Sequence, residues 1–374
     1  MSVYIFISLP LLFAVFFSYR KNISCELLLF LFIPLFLLSA MRYDIGRDYD
    51  TYLRIYETPE QIQVHEKGYM LINNFAIQHD LTLQFVIIVY AVFTLTFAYL
   101  FISENSKNKI LSLFIFYTYT PFYLQTLNTL RQGLAIYIFM YATRYIRERK
   151  FFAYCLFILL AAFFAHNSVI VTLPLYFLLN RNYKVPIKVI MIAGSLVMSG
   201  LLEIIVKSTP YAVYLLGGDG EGGFAPIFLL DVFLCGIIAI FFKKKTDTIF
   251  YNISFLSLCI LSMGIVLKAS PIFVVVSRIN EFFLPSLIIM IPLFVQELKK
   301  YRQIFYYVII ICFFGVFYFS ITINGVMNQL VPYKIFFGIF HNDYLLDGVL
   351  IFLGTLSFIG TIKSYNKVKR GAYV

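Results

Sequence analysis

Apolar runs of about 15 to 22 residues recur along the chain, each closed by a short polar stretch. A helix of about 20 apolar residues crosses a bilayer core. On this spacing the sequence predicts thirteen spans: 2–19, 23–41, 82–102, 109–124, 131–146, 151–165, 168–180, 187–206, 225–242, 248–267, 279–296, 304–323 and 346–362. The expected fold is an all-α polytopic membrane protein, with 1–374 as one integral-membrane domain. Three longer connections are expected on one face: 42–81 with an amphipathic part, a Gly-rich 207–224, and 324–345.

Two pairs of spans are short, 109–124 with 131–146 and 151–165 with 168–180. At 1.5 Å per residue the shortest covers about 20 Å of a core of roughly 30 Å. Each pair is open to two readings, a crossing of a thinned region or a re-entrant hairpin. In both, the tips carrying Arg131 and His166 lie below the outer surface, shielded by protein.

Composition strengthens the membrane reading. Residues are 61% hydrophobic and only 13% charged, about half the charge of a soluble domain. When the connections are assigned alternately to two sides, 21 of the 30 Lys and Arg fall on one side. The acids there are only Glu26, Glu104, Glu148, Asp247 and Glu297. Basic excess marks the cytoplasm, which puts the N-terminus outside and the C-terminus in the cytoplasm. The net charge of +11 is therefore topology, and no nucleic-acid partner is expected. The first block has no basic residue before it and no A-x-A site after it, so it reads as a retained helix. The five cysteines are scattered without a CxxC pair and the four histidines lack metal-ligand spacing, so no metal is expected.

The outer side is chemically richer. In "MRYDIGRDYDTYLRIYE" (41–57), Arg42, Asp44, Arg47, Asp48 and Asp50 crowd behind an apolar span, interleaved with tyrosines at 43, 49, 52 and 56. Helical spacing would put Asp44 with Asp48, and Asp48 with Tyr52, on common faces, while Gly46 permits a tight or left-handed backbone. A self-neutralising solvated loop and a glycan or diphosphate site are both open. Arg131 falls in the first turn of a helix that Asn128 or Thr129 could cap. Free amides and a guanidinium there suit an oxyanion; the plainer reading is an Arg snorkelling to headgroups. His166 stands between apolar runs, either a histidine satisfied in a polar turn or a base near a reacting hydroxyl. Arg278 and Glu281 are spaced as an ion pair as well as a site. Asp231 lies inside a span with no obvious local partner. "GGDGEGGF" (217–224) reads as a linker or flap and lacks the Lys-Ser/Thr of a P-loop.

These stretches resemble the EpsG family of polysaccharide polymerases. The run Arg42-x3-Gly46-x-Asp48-Tyr49-x2-Tyr52, then Glu66-x-Gly68-Tyr69, looks like its opening signature. "LRQGLA" (130–135) and "FFAHNSVIVTLPLY" (163–176) match its next motifs in order, and "SRINEFF" (277–283) and "PYK" (332–334) are similar to its weaker C-terminal ones. The resemblance implies a Wzy-type polymerase of O-antigen or capsule repeats in a bacterial cytoplasmic membrane, with a GT-C-like helical architecture and no cofactor. Its substrates would be undecaprenyl-diphosphate-linked repeat units, and a flippase and a chain-length regulator would be its partners. For that chemistry Arg131, Arg278, Arg42 and Arg47 are the diphosphate candidates. His166, then Asp48, are candidates for the base. Tyr49, Tyr52, Glu66, Gln132, Glu281 and Tyr333 are candidates for holding sugars or acceptor. Rival readings are a flippase or other transporter, an O-antigen ligase and an O-acyltransferase. Against a transporter, spans 304–323 and 346–362 hold almost no charge, and the two halves show no similarity.

Overall fold

The computed structural model describes residues 1–19, 23–62, 64–208, 226–241, 248–268, 270–325 and 329–335, with 355 and 359 beyond them. Most of the expected span 346–362, and most of 207–224 and 324–345, lies outside the described residues.

The described chain is helical, as the apolar blocks predict. In order come α1 (Ser2–Phe17), α2 (Cys25–Ala40), α3 (Tyr49–Glu57), α4 (Lys67–Gln78), α5 (Leu83–Asn105), α6 (Lys109–Thr118), α7 (Tyr123–Asn128) and α8 (Leu130–Arg147). Then follow α9 (Phe151–Phe164), α10 (Leu175–Leu178), α11 (Val185–Lys207), α12 (Pro226–Phe241), α13 (Thr248–Leu267), α14 (Phe273–Asn280), α15 (Leu287–Glu297) and α16 (Arg302–Phe319). Among the described residues five helical stretches are long and apolar enough to cross a membrane: 83–105, 185–207, 248–267, 273–297 and 299–323. Shorter apolar helices lie beside them in sequence, and the chain is an all-α membrane protein.

Several expected spans are broken, and proline marks the breaks. The 109–124 block stops at Thr118 and resumes at Tyr123, because Pro121 lacks an N–H and pushes its predecessor out of helical backbone. The 168–180 block is a 3-10 helix, Asn167–Thr172, followed after Pro174 by the short α10. The block expected from 279 starts earlier, at Phe273, and passes through a 3-10 turn at Leu284–Ser286 around Pro285 before α15.

The described residues form two compact units, 1–142 with 155–170 and 295–374, and 143–154 with 171–294. In the first unit α5 is apolar on all sides and mostly buried, and α2 packs along it. The last carbonyls of a helix have no partner within it, and here other elements supply them. Gln84 Nε2 donates to the Ala40 carbonyl and the Tyr333 hydroxyl to that of Leu38 at 2.6 Å, while the Tyr123 hydroxyl adds a bond to the Leu35 carbonyl one turn earlier at 2.6 Å. The end of α2, and so the start of the charged loop, is thereby held in place.

In the second unit α13 packs against α11, α12 and α14. Its small polar side chains make buried links: Ser257 Oγ donates to Asn280 Oδ1 at 2.7 Å, and Ser254 and Ser286 hydroxyls meet at 2.7 Å. Asp231 is buried on α12 in this unit.

Candidate functional site

The opening cluster is not helical at its start. Asp44 and Gly46 have φ of 50° and 96°, and α3 begins only at Tyr49. The expected shared face of Asp44 and Asp48 is therefore absent. Gly46 is required where it stands: a Cβ there would lie 2.4 Å from the Leu127 carbonyl oxygen. That contact brings the loop onto the end of α7. The Arg47 N–H donates to Asn128 Oδ1 at 3.0 Å, and an Arg42 guanidinium nitrogen donates to the Leu127 carbonyl. Asn128, expected as a cap of α8, is thus spent on the loop. The Thr129 hydroxyl donates back to the Gln125 carbonyl at 3.1 Å.

The "PYK" segment closes the same loop from the other side. Tyr43 N–H donates to the Lys334 carbonyl at 3.1 Å, Gly46 N–H to that of Gln329 at 3.0 Å, and Lys334 Nζ meets the Asp44 carboxylate. Arg42 and Ile335 form an isolated antiparallel bridge. Two motifs nearly 300 positions apart are one piece of structure.

The chemistry gathers a short way along. Glu66 precedes α4, and Gly68 lets α4 press onto the end of α9; a Cβ there would lie 2.8 Å from the Phe163 carbonyl oxygen. Gly133 similarly lets α8 close on Thr126 of α7. These approaches converge on the Glu66 carboxylate, whose side chain is 6% exposed. One oxygen, Oε2, accepts from Arg131 at 2.7 Å. The other, Oε1, accepts from the Asn167 backbone N–H at 3.1 Å and lies 3.1 Å from His166 Nδ1. The imidazole is turned off the ideal line, so Nδ1 is at hydrogen-bond distance without the alignment.

Burial pushes the Glu66 carboxyl upward, but His166, the Arg131 charge and the Asn167 N–H outweigh it and hold the carboxyl down at about 2. Aromatic rings complete the surround. Arg131 Cζ lies 5.0 Å from the Tyr69 ring centroid and 5.9 Å from that of Tyr52, within cation–π range. Arg131 Nε has no hydrogen-bond partner among the described residues, and the side chain is 20% exposed.

The expected residues divide accordingly. His166, Arg131, Glu66 and Tyr52 come together, and Gln132 is buried in the first turn of α8 beside Arg131. Arg42, Arg47, Asp48, Tyr49 and Tyr333 belong to the neighbouring loop assembly; Asp48 takes the N-cap position of α3 without a capping side-chain bond. Arg42, at 1% exposure, is fully buried, so it faces protein rather than an open cleft. Arg278 and Glu281 lie in the second unit, where their charged groups approach to 3.8 Å. Among the described residues no group of three or more His, Cys, Asp and Glu side chains gathers as a metal site would need.

Reading the sequence alone missed the parts played by Tyr69 and the Asn167 amide, and put Glu66 among sugar contacts rather than at the hub. The signal available was the glycine two positions after Glu66, which marks a close helix approach.

The sequence profile of the EpsG family matches residues 25–335. The chain belongs to the EpsG family. No curated protein and no solved structure matches it. Family membership makes it a membrane protein of polysaccharide biosynthesis, in a family associated with glycosyltransferase-like polymerases. The matched region contains the whole Glu66, Arg131 and His166 cluster and the loop assembly beside it.

Proposed function

We propose that this EpsG-family chain is a repeat-unit polymerase, a glycosyltransferase acting on lipid-linked oligosaccharides. In this reading it has thirteen spans and a GT-C-like architecture in the bacterial cytoplasmic membrane. The N-terminus and the active site face outward and the C-terminus is cytoplasmic. It moves a growing glycan from undecaprenyl diphosphate to the non-reducing end of a new repeat. A flippase delivers the repeats and a chain-length regulator is a further partner.

The observation that carries the reading is Arg131. It stands in the first turn of α8 with an unpartnered Nε, against two tyrosine rings and sharing the Glu66 carboxylate with a histidine. The reaction breaks the bond from the anomeric carbon to a phosphate oxygen, and the electron pair leaves on the diphosphate. A guanidinium held where that charge develops lowers the barrier, and its planar donors suit phosphate better than an ammonium does. The acceptor hydroxyl forms the new bond to the anomeric carbon and loses a proton. His166 is the candidate to take it, because histidine titrates near neutrality. Asp48 is the second candidate. Tyr49, Tyr52 and Gln132 are assigned to sugars.

The test is polymer formation by the purified full chain from undecaprenyl-diphosphate-linked repeats, read as a ladder of lengths. Wild-type protein is expected to build the ladder and Arg131→Ala to lose it. Normal turnover by Arg131→Ala removes the diphosphate assignment. In cells lacking the protein, single repeats on the acceptor lipid support polymerase action, whereas complete loss of surface repeats points to a flippase or ligase.

A further inference from the structure

Glu66 touches both residues on which the polymerase reading rests, yet that reading gives it no step. Its two oxygens are divided: Oε2 serves Arg131 at 2.7 Å, and Oε1 serves the Asn167 amide and faces His166 Nδ1, both at 3.1 Å. A carboxylate that only bound sugar would keep an oxygen for the ligand. A carboxylate beside one imidazole nitrogen selects the tautomer of the ring. His166 Nε2 has no protein partner among the described residues, and the ring is 27% exposed.

We propose that Glu66 is the positioning residue of this site, holding the proton of neutral His166 on Nδ1 so that Nε2 is the base, and balancing Arg131 until an anionic diphosphate takes that guanidinium. The assignment rests on the polymerase reading for the reaction it serves, and on geometry alone for the tautomer.

The acceptor oxygen bonds to the anomeric carbon while the bond from that carbon to the phosphate oxygen breaks. The electron pair goes to the diphosphate, whose new charge Arg131 meets. The hydroxyl proton goes to His166 Nε2, and the resulting imidazolium faces Glu66 until water removes the proton. Glu66 is thus released by Arg131 as its charge is wanted by His166. The other groups facing this imidazole–carboxylate pair are Arg131 on α8 and the hydroxyls of Tyr69 and Tyr90 on α4 and α5, with Tyr52 of α3 against Arg131. Arg131 carries a charge at neutral pH, and the Asp48 carboxylate acts on Tyr52 from the start of α3.

The test uses the full chain in lipid nanodiscs with ¹⁵N-labelled histidine, the His166→Ala spectrum assigning the signal. Wild-type His166 is expected to carry its proton on Nδ1 when neutral. Inorganic diphosphate is expected to bind Glu66→Gln severalfold more tightly than wild type, since Arg131 no longer has a competing carboxylate. In the polymer assay, Glu66→Gln is expected to lower turnover by about 10²-fold without raising the KM for the lipid-linked donor, and to shift the acidic limb of the pH profile downward. Glu66→Asp should restore part of each effect, and it serves as the variant if Glu66→Gln does not accumulate.

A neutral ring protonated on Nε2, or weaker diphosphate binding in the variant, overturns the proposal. Higher KM at unchanged turnover also overturns it, because that marks Glu66 as a substrate contact. The spectroscopic arm does not depend on polymerisation. A neutral ring protonated on Nδ1 in a wild-type protein that builds no ladder sinks the polymerase reading and leaves the tautomer assignment standing.

Discussion

Gly68 and Phe163 meet so closely that a methyl group on the glycine would lie 2.8 Å from the phenylalanine carbonyl oxygen and from a carbon of its ring. This contact sets the distance between the start of α4 and the end of α9. Two residues before the glycine is Glu66, and three after the phenylalanine is His166. Gly68→Ala is expected to cost about 1–3 kcal/mol of stability, as overpacked sites do, and to reduce activity beyond what the stability loss explains. Thermal melts beside polymer assays at a temperature where both proteins are folded separate the two. Unchanged activity would remove the approach from the account of the site.

Arg131 is expected to act through its geometry as well as its charge. Arg131→Ala should lower turnover by about 10²–10³-fold, the range for losing one group that stabilises developing charge. Arg131→Lys should recover only a small part, because an ammonium lacks the planar pair of donors and the stacking on tyrosine. Full recovery by lysine, measured as turnover at saturating donor, would mean that a point charge suffices.

Glu66 should leave a mark on acid stability. Its carboxyl sits at about 2 in the folded protein against an ordinary 4.5. A carboxyl lowered on folding adds stability that is complete above its unfolded value and disappears as pH falls through the folded one. The stability gap between wild type and Glu66→Gln should therefore narrow as pH falls from about 4.5 to about 2. Melting midpoints of both proteins across that range check this. A gap that stays constant down to the lowest pH would show that Glu66 is not held as the structure describes.

Arg42 lies at 1% exposure with its guanidinium on the Leu127 carbonyl, and no carboxylate reaches it among the described residues. Burial also lowers its pKa. An apolar side chain of similar length fills the same space without the cost of desolvating a charge. Arg42→Met is accordingly expected to keep the melting temperature while activity falls, because the tie from the charged loop to the α7–α8 junction is lost. Arg42→Ala should instead lose about 2–5 kcal/mol through the cavity it opens. Retained activity in Arg42→Met would reduce Arg42 to packing.

Much of the architecture was legible in the order of residues. Apolar blocks of helical length placed the helices to within a few residues, because lipid-facing backbone must satisfy its own hydrogen bonds. The prolines at 121, 174 and 285 were visible too, yet block-counting ran over them; the broken helices follow from a missing N–H, a local fact. Arg131 and His166 stood out because ionisable groups are rare amid apolar runs, and Gly46, read as permitting a tight or left-handed backbone, has a positive φ of 96°.

What only the tertiary structure decided is which of these residues meet. Nothing local in "HEKGYM" says that Glu66 will accept from Arg131, 65 positions on, and from the Asn167 amide, 101 positions on. Nor does "RYDIGRDYD" announce that its backbone will be held by Gln329 and Lys334. Its charges read alone as a sugar-binding wall or a neutralised loop, whereas the fold buries Arg42 and uses the stretch to set the end of α7. Helix position follows from local hydrophobicity and backbone chemistry. Pairing across the bundle depends on how closely helices approach, which Gly46, Gly68 and Gly133 permit and only packing realises.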